Sequence, residues 1–258
     1  MSAEMPAAPA PRSGALRRLT ITEFILFRRE RVGPVWGIGF PLLLLIIFGE
    51  IPSFRRPDQD LGGLTDLEVY VPILTAFVIA MLALNALPPV LAGYREKGIL
   101  RRLRTTPVGP ARVLAAQLVI NLVAAAVTVV LILTVARLAF GVALPRQLAG
   151  FVLAALLAAA ALMSIGLFIA AVVPGGRAAQ AVGTILFFPM MFFAGLWLPI
   201  AQMPSVLRHL SHVTPLGAAV QALQDSAEGD WPQPVQLLTM VVYTVVFGLA
   251  AAKWFRWE

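Results

Sequence analysis

Six long apolar stretches, each free of Asp, Glu, Lys and Arg, divide the chain: Val32–Gly49, Val69–Gly93, Val113–Ala136, Gln147–Gly176, Ala178–Leu198 and Val235–Ala252. About 20 mostly apolar residues in a helix suffice to cross roughly 30 Å of hydrocarbon, so each stretch predicts a transmembrane helix. The fold class expected is an all-α polytopic membrane protein with six spans. Before the first span, Leu16, Leu19, Ile21, Phe24, Ile25 and Phe27 recur near helical spacing among Arg17, Arg18, Arg28 and Arg29. That pattern predicts an amphipathic helix over 15–31 lying on a membrane surface, with a basic flank that fixes topology as the alternative. Residues 1–14, rich in Ala and Pro and lacking an apolar core, are expected to form a disordered tail. Between the fifth and sixth spans Pro204 and Pro215 divide a segment in which Val206, Leu207, Leu210 and Val213 share one side. Two short re-entrant helices in the outer leaflet fit it. The transmembrane domain is then residues 32–252, with 253–258 as a C-terminal end.

Composition turns this pattern into a statement about solvent. With 59% hydrophobic and 13% charged residues, a water-soluble fold could not cover its apolar surface. The net charge of +7 is too unevenly placed to mark a nucleic-acid surface. Fifteen of the 20 basic residues fall in the tail, the Tyr94–Arg112 loop and the other segments on that side, while eight of the 13 acids fall on the opposite side. Lys and Arg are retained in the cytoplasm, so both termini and the Tyr94–Arg112 loop are expected there. Cysteine is absent, which removes disulfides and thiolate chemistry.

Chemistry within the spans is sparse. No acidic or basic side chain lies deep in a predicted span, which argues against a carrier driven by protons or sodium. Arg137 sits near a span end, where its stem reaches the headgroups. His209 and His212 are too few for a metal site, no GxxxxGK[ST] motif offers a nucleotide site, and no catalytic constellation is visible. No catalytic, cofactor or metal residue is therefore expected, and the chain is not read as an enzyme. The most specific feature is the loop Arg95-Glu-Lys-Gly-Ile-Leu-Arg-Arg-Leu-Arg-Thr-Thr-Pro107. Gly98 ends one helix, Leu100 and Leu103 make a small apolar ridge, and Thr106-Pro107 opens a new element. A short helix, apolar on one face and basic on the other, is a docking surface for a partner.

Arg95–Pro107 resembles the loop after the second span of ABC-2 type transporter permeases. Phe193-Ala-Gly-Leu-Trp-Leu-Pro199, followed by Met203-Pro204 and Thr214-Pro215-Leu216, is similar to the block around that family's fifth span. The flavour is that of the daunorubicin-resistance branch of drug and antibiotic exporters. The resemblance implies a homodimer of permeases in the bacterial cytoplasmic membrane, docked to two copies of an ATP-binding subunit that carries the ATP and Mg. Arg95, Glu96, Lys97, Gly98, Leu100, Arg101, Leu103, Arg104, Thr106 and Pro107 would then form the coupling helix, which the 15–31 helix assists. It also implies that spans two and five face a central path. On this chain that nominates Phe77, Met81, Asn85, Phe188, Met190, Met191, Phe192 and Phe193, side chains suited to an amphipathic small molecule. Gly33 and Gly37 are candidates for the dimer seam. Export of a lipid or lipid-linked glycan, and a non-transporting anchor for an ATPase, remain the alternatives.

Overall fold

The computed structural model describes residues 37, 39–59, 63–103 and 110–255. The tail, the 15–31 helix, Gly33, Arg104, Thr106 and Pro107 lie outside the described residues. Among those described the architecture is helical, and a lone bridge between Pro57 and Thr65 is the only β pairing. Helix α1 (Phe40–Glu50) is the described part of the first predicted span. Helices α2 (Asp66–Glu96), α4 (Pro110–Phe140), α5 (Leu148–Val172), α6 (Gly176–Phe193) and α9 (Pro234–Trp254) are each long and apolar enough to cross a membrane. The short α3 (Ile99–Leu103) follows α2, and α7 (Ser205–Val213) and α8 (Pro215–Glu228) lie between α6 and α9.

Element boundaries depart from the apolar stretches for identifiable reasons. α2 begins at Asp66, three residues before the stretch, because Thr65 and Glu68 close a capping box: the Thr65 hydroxyl accepts from the Glu68 N–H at 3.2 Å, and the Glu68 carboxylate accepts from the Thr65 N–H at 2.9 Å. Acidic side chains are favoured in a helix's first turn, so a charge-free window clips it. The fourth stretch stops at Val172, since Pro174 pushes Val173 into an extended conformation. The fifth helix ends at Phe193 and not Leu198, where Gly195 takes a left-handed φ of 87°.

α2 is the axis of the fold. In its apolar window 83% of residues are buried, against 22% for α6 and 17% for α9. α5 and α9 form the most extensive helix pair, and α8 packs on both. The prolines that divide the 199–223 segment do so at the expected places: Pro204 precedes α7 and Pro215 opens α8. Two hydrogen bonds set the depth of this pair against α9. The Tyr243 hydroxyl donates to the Val213 carbonyl at 3.3 Å, and the Gln236 amide donates to the Asp225 carboxylate at 2.8 Å. The turn between α7 and α8 therefore sits about 10 Å further along α9 than the end of α8.

Candidate functional site

Phe77, Met81 and Asn85 succeed one another along one side of α2 at helical spacing. Between Met81 and Leu87 the helix widens into a π turn over Leu82–Ala86, closed by the Leu87 N–H on the Leu82 carbonyl. Such turns insert a residue into the helical ladder and redirect the side chains around it. Two glycines on neighbouring helices receive the redirected backbone. A Cβ built on Gly166 of α5 would fall 2.1 Å from the Ala83 carbonyl oxygen, and one on Gly183 of α6 would fall 1.9 Å from that of Leu84. No side chain fits there, so α6 closes directly on α2.

This close approach sets Gln180 and Thr184 of α6 opposite Asn85. The Thr184 hydroxyl donates to the Asn85 side-chain oxygen at 2.8 Å, and the Gln180 amide donates to the same oxygen at 3.1 Å. The result is an uncharged polar cluster within two membrane-length helices. Along the same stripe lies a cavity of about 370 Å³, lined by Phe40, Leu44, Phe77, Met81, Phe188 and Trp197 among others. Its aromatic frame is continuous: Phe77 meets Phe187 edge to face with centroids 5.3 Å apart, and Phe188 stacks on Trp197 at 6.3 Å. That volume falls within the range of small-molecule pockets, and aromatic walls beside a few neutral hydrogen-bonding groups are the lining such ligands favour.

Of the residues nominated for the path, the structure brings Phe77, Met81 and Phe188 to this cavity, with Asn85 next to it. Met190, Met191, Phe192 and Phe193 do not line it. Met191 is wholly buried in the chain's own core, and the Phe193 carbonyl accepts a hydrogen bond from Ser211 at 2.6 Å. Sequence reasoning missed Gln180, Thr184, Phe187 and Trp197. The available signal was Gln180 and Thr184, polar and four apart at the entry of an apolar run. Gly37 is buried, and a Cβ on it would meet Leu82 of the same chain at 3.4 Å.

At the far end of α2 the motif residues divide by role. The Arg95 guanidinium donates to the carbonyls of Ala170 at 2.9 Å, Ala171 at 2.6 Å and Val173, and so closes the C-terminus of α5. The next residue, Glu96, accepts the Gly176 N–H at 3.0 Å at the N-terminus of α6. Cation on a C-terminus and anion on an N-terminus are both the favourable pairings with the helix dipole. Gly98, with φ of 66°, then turns the chain into α3. Leu100 is fully buried and Leu103 half-buried, so the anticipated apolar ridge is turned inward at Leu100. Lys97, Arg101 and Arg102 are the exposed basic side chains there.

A family model for the ABC-2 type transporter matches residues 14–227. The chain belongs to the ABC-2 type transporter family. As a member it is a multi-pass integral membrane protein and a membrane component of an ABC-type transporter, a kind of subunit that works with an ATP-binding subunit. No individually curated protein matches the chain. Both segments that resemble ABC-2 permeases, the Arg95–Pro107 loop and the block from Phe193 to Leu216, fall inside the matched region.

Proposed function

We propose that this chain is the permease half of an ATP-driven exporter for an amphipathic organic molecule, working as a homodimer with two ATP-binding subunits in the bacterial cytoplasmic membrane. The observation that carries the reading is the stripe shared by α2 and α6: a 370 Å³ aromatic cavity bounded by Met81 and, one turn further along α2, the neutral cluster of Asn85, Gln180 and Thr184. An aromatic and thioether wall adapts to varied apolar shapes, while the amide and hydroxyl groups offer hydrogen bonds without demanding a charge on the cargo. α6 leaves most of its apolar window unburied, with Ile185 and Phe188 exposed, and in this reading a second copy faces it across the path. The exposed basic side chains of α3 are the contact for the ATP-binding subunit, with the end bearing α3 in the cytoplasm and the α7–α8 pair dipping into the outer leaflet. Energy comes from ATP in this reading, since no described span carries an acidic side chain between its first and last turns.

The test is transport of an amphipathic fluorescent dye by vesicles holding the chain and its ATP-binding partner. Flux is expected to require ATP and to survive collapse of the proton gradient. Phe77→Ala and Phe188→Ala are each expected to raise the half-saturating dye concentration about tenfold, the loss of roughly 1.4 kcal/mol of apolar contact. ATP hydrolysis without flux would mark the chain as an anchor, and dye affinity unchanged in both variants would remove the cavity from the path.

A further inference from the structure

A second groove lies elsewhere on the molecule. Helices α4 and α5 are consecutive and joined only by residues 141–147, yet they barely touch. The space between them is an apolar cavity of about 220 Å³ whose walls include Ala126 and Val130 of α4 and Val152 and Ala155 of α5. Its floor is Ile79, on the opposite side of α2 from Phe77 and Met81, so it is separate from the aromatic cavity. On α5 the lining runs from Leu148 to Ala159, about 16 Å of helix. That is close to the depth of one leaflet, about half of a hydrocarbon core of ~30 Å.

At the end away from α3 the groove changes character without a break. Leu133 and Phe151 line both the apolar cavity and a neighbouring one of about 360 Å³. This second cavity carries Arg146, Gln224, Glu228 and Asp230, together with Glu68, whose carboxylate is already held by the Thr65 N–H and hydroxyl. The Arg146 guanidinium reaches the Glu228 backbone carbonyl at 3.5 Å, and among the described residues it forms no ion pair, nor do Glu228 and Asp230. Partial desolvation, together with the neighbouring Asp225 and Asp230, pushes the Glu228 carboxyl above its ordinary pKa, so a cation there would relieve like-charge repulsion. One guanidinium and two carboxylates without an ion-pair partner among the described residues, at the mouth of a leaflet-deep apolar slot, match a headgroup that carries one phosphate and one ammonium.

We propose that this groove binds one phosphatidylethanolamine-type phospholipid from the leaflet at that end, its phosphate on Arg146, its primary ammonium between Glu228 and Asp230, and an acyl chain between α4 and α5. Arg binds phosphate oxygens through paired N–H donors, and a primary ammonium offers three donors to the carboxylates. A phosphatidylglycerol offers the carboxylates only neutral hydroxyl donors and no cation to offset their charge. A phosphatidylcholine cannot donate hydrogen bonds from its quaternary nitrogen. The lipid here is a resident of the chain and not its cargo, and the proposal requires only that the chain spans a bilayer.

The experiment is native mass spectrometry of the purified chain exposed to equal amounts of dioleoyl phosphatidylethanolamine, phosphatidylcholine and phosphatidylglycerol. One phosphatidylethanolamine per chain is expected, at least fivefold above either competitor. Arg146→Gln should remove that preference. Ala126→Trp, which fills the slot from an exposed position, should abolish retention of all three lipids. Both variants are first checked for the wild-type elution profile and helical circular dichroism. Where a variant fails that check, the competition among headgroups on the wild-type chain decides alone. Equal retention of the three lipids, or a folded Arg146→Gln chain with undiminished preference, overturns the headgroup assignment. A folded Ala126→Trp chain that still retains the lipid overturns the groove.

Discussion

A single missing methyl group governs how α6 meets α2. Gly183 faces the Leu84 carbonyl so closely that alanine there would place a carbon 1.9 Å from the oxygen, while alanine at Gly93 meets nothing within 4 Å. Overpacking of this kind costs about 1–3 kcal/mol and more when the opposing atom is backbone that cannot swing away. Gly183→Ala is therefore expected to lower the melting temperature in detergent by several degrees and to part the Asn85–Thr184 hydrogen bond, whereas Gly93→Ala leaves melting unchanged or slightly higher. A thermal-shift series on the two variants checks this; equal melting temperatures would show that the π turn yields without cost. Part of this geometry was legible in the sequence and part was not. Asn85 stands out as a lone amide in an apolar run, because hydrocarbon offers an amide no partner. Its actual partners depend on a π turn, and an i to i+5 hydrogen bond leaves no mark in hydrophobic periodicity.

At the scale of elements, the α5–α6 junction is held by two adjacent residues of a third helix. Arg95 satisfies carbonyls that a helix C-terminus leaves orphaned, and Glu96 satisfies an N–H at the following N-terminus. Lysine at position 95 keeps the charge but lacks the planar fork that reaches several carbonyls at once. Arg95→Lys should thus destabilise the chain by about 1–3 kcal/mol, and Glu96→Gln, whose amide oxygen still accepts, by much less. Chemical-denaturant or thermal unfolding of both variants measures the difference, and an Arg95→Lys chain as stable as wild type would contradict the clamp. The sequence marks this motif clearly as special but points its chemistry outward. Charge density reads as a contact for something else, and nothing local discloses that the carbonyls of 170–173 lie within reach. Leu100 shows the same limit, since a small apolar ridge looks alike whether it meets a partner or its own chain.

For the whole molecule, the five long helices follow from apolar length alone, because a helix that satisfies its own backbone is what hydrocarbon permits. Which helix sits at the centre does not follow, since α2 and α4 are similarly apolar while burial separates them. Orientation rests on the placement of Lys and Arg, and the absence of cysteine makes it directly measurable. In intact cells a membrane-impermeant maleimide should label Asp58→Cys and spare Arg101→Cys until the membrane is opened; the reverse pattern would invert the topology. The clamp at Arg95 and Glu96 gives that topology a mechanical meaning. A displacement of α3 that carries Glu96 with it would also move the foot of α6, an arm of about 27 Å. On such an arm a shift of about 2 Å at the foot becomes a tilt of about 4°, delivered at the Gln180 and Thr184 turns before it reaches the aromatic wall. For such a displacement, the gearing between the two faces of the membrane would be set by the length of one helix and the grip of two neighbouring side chains.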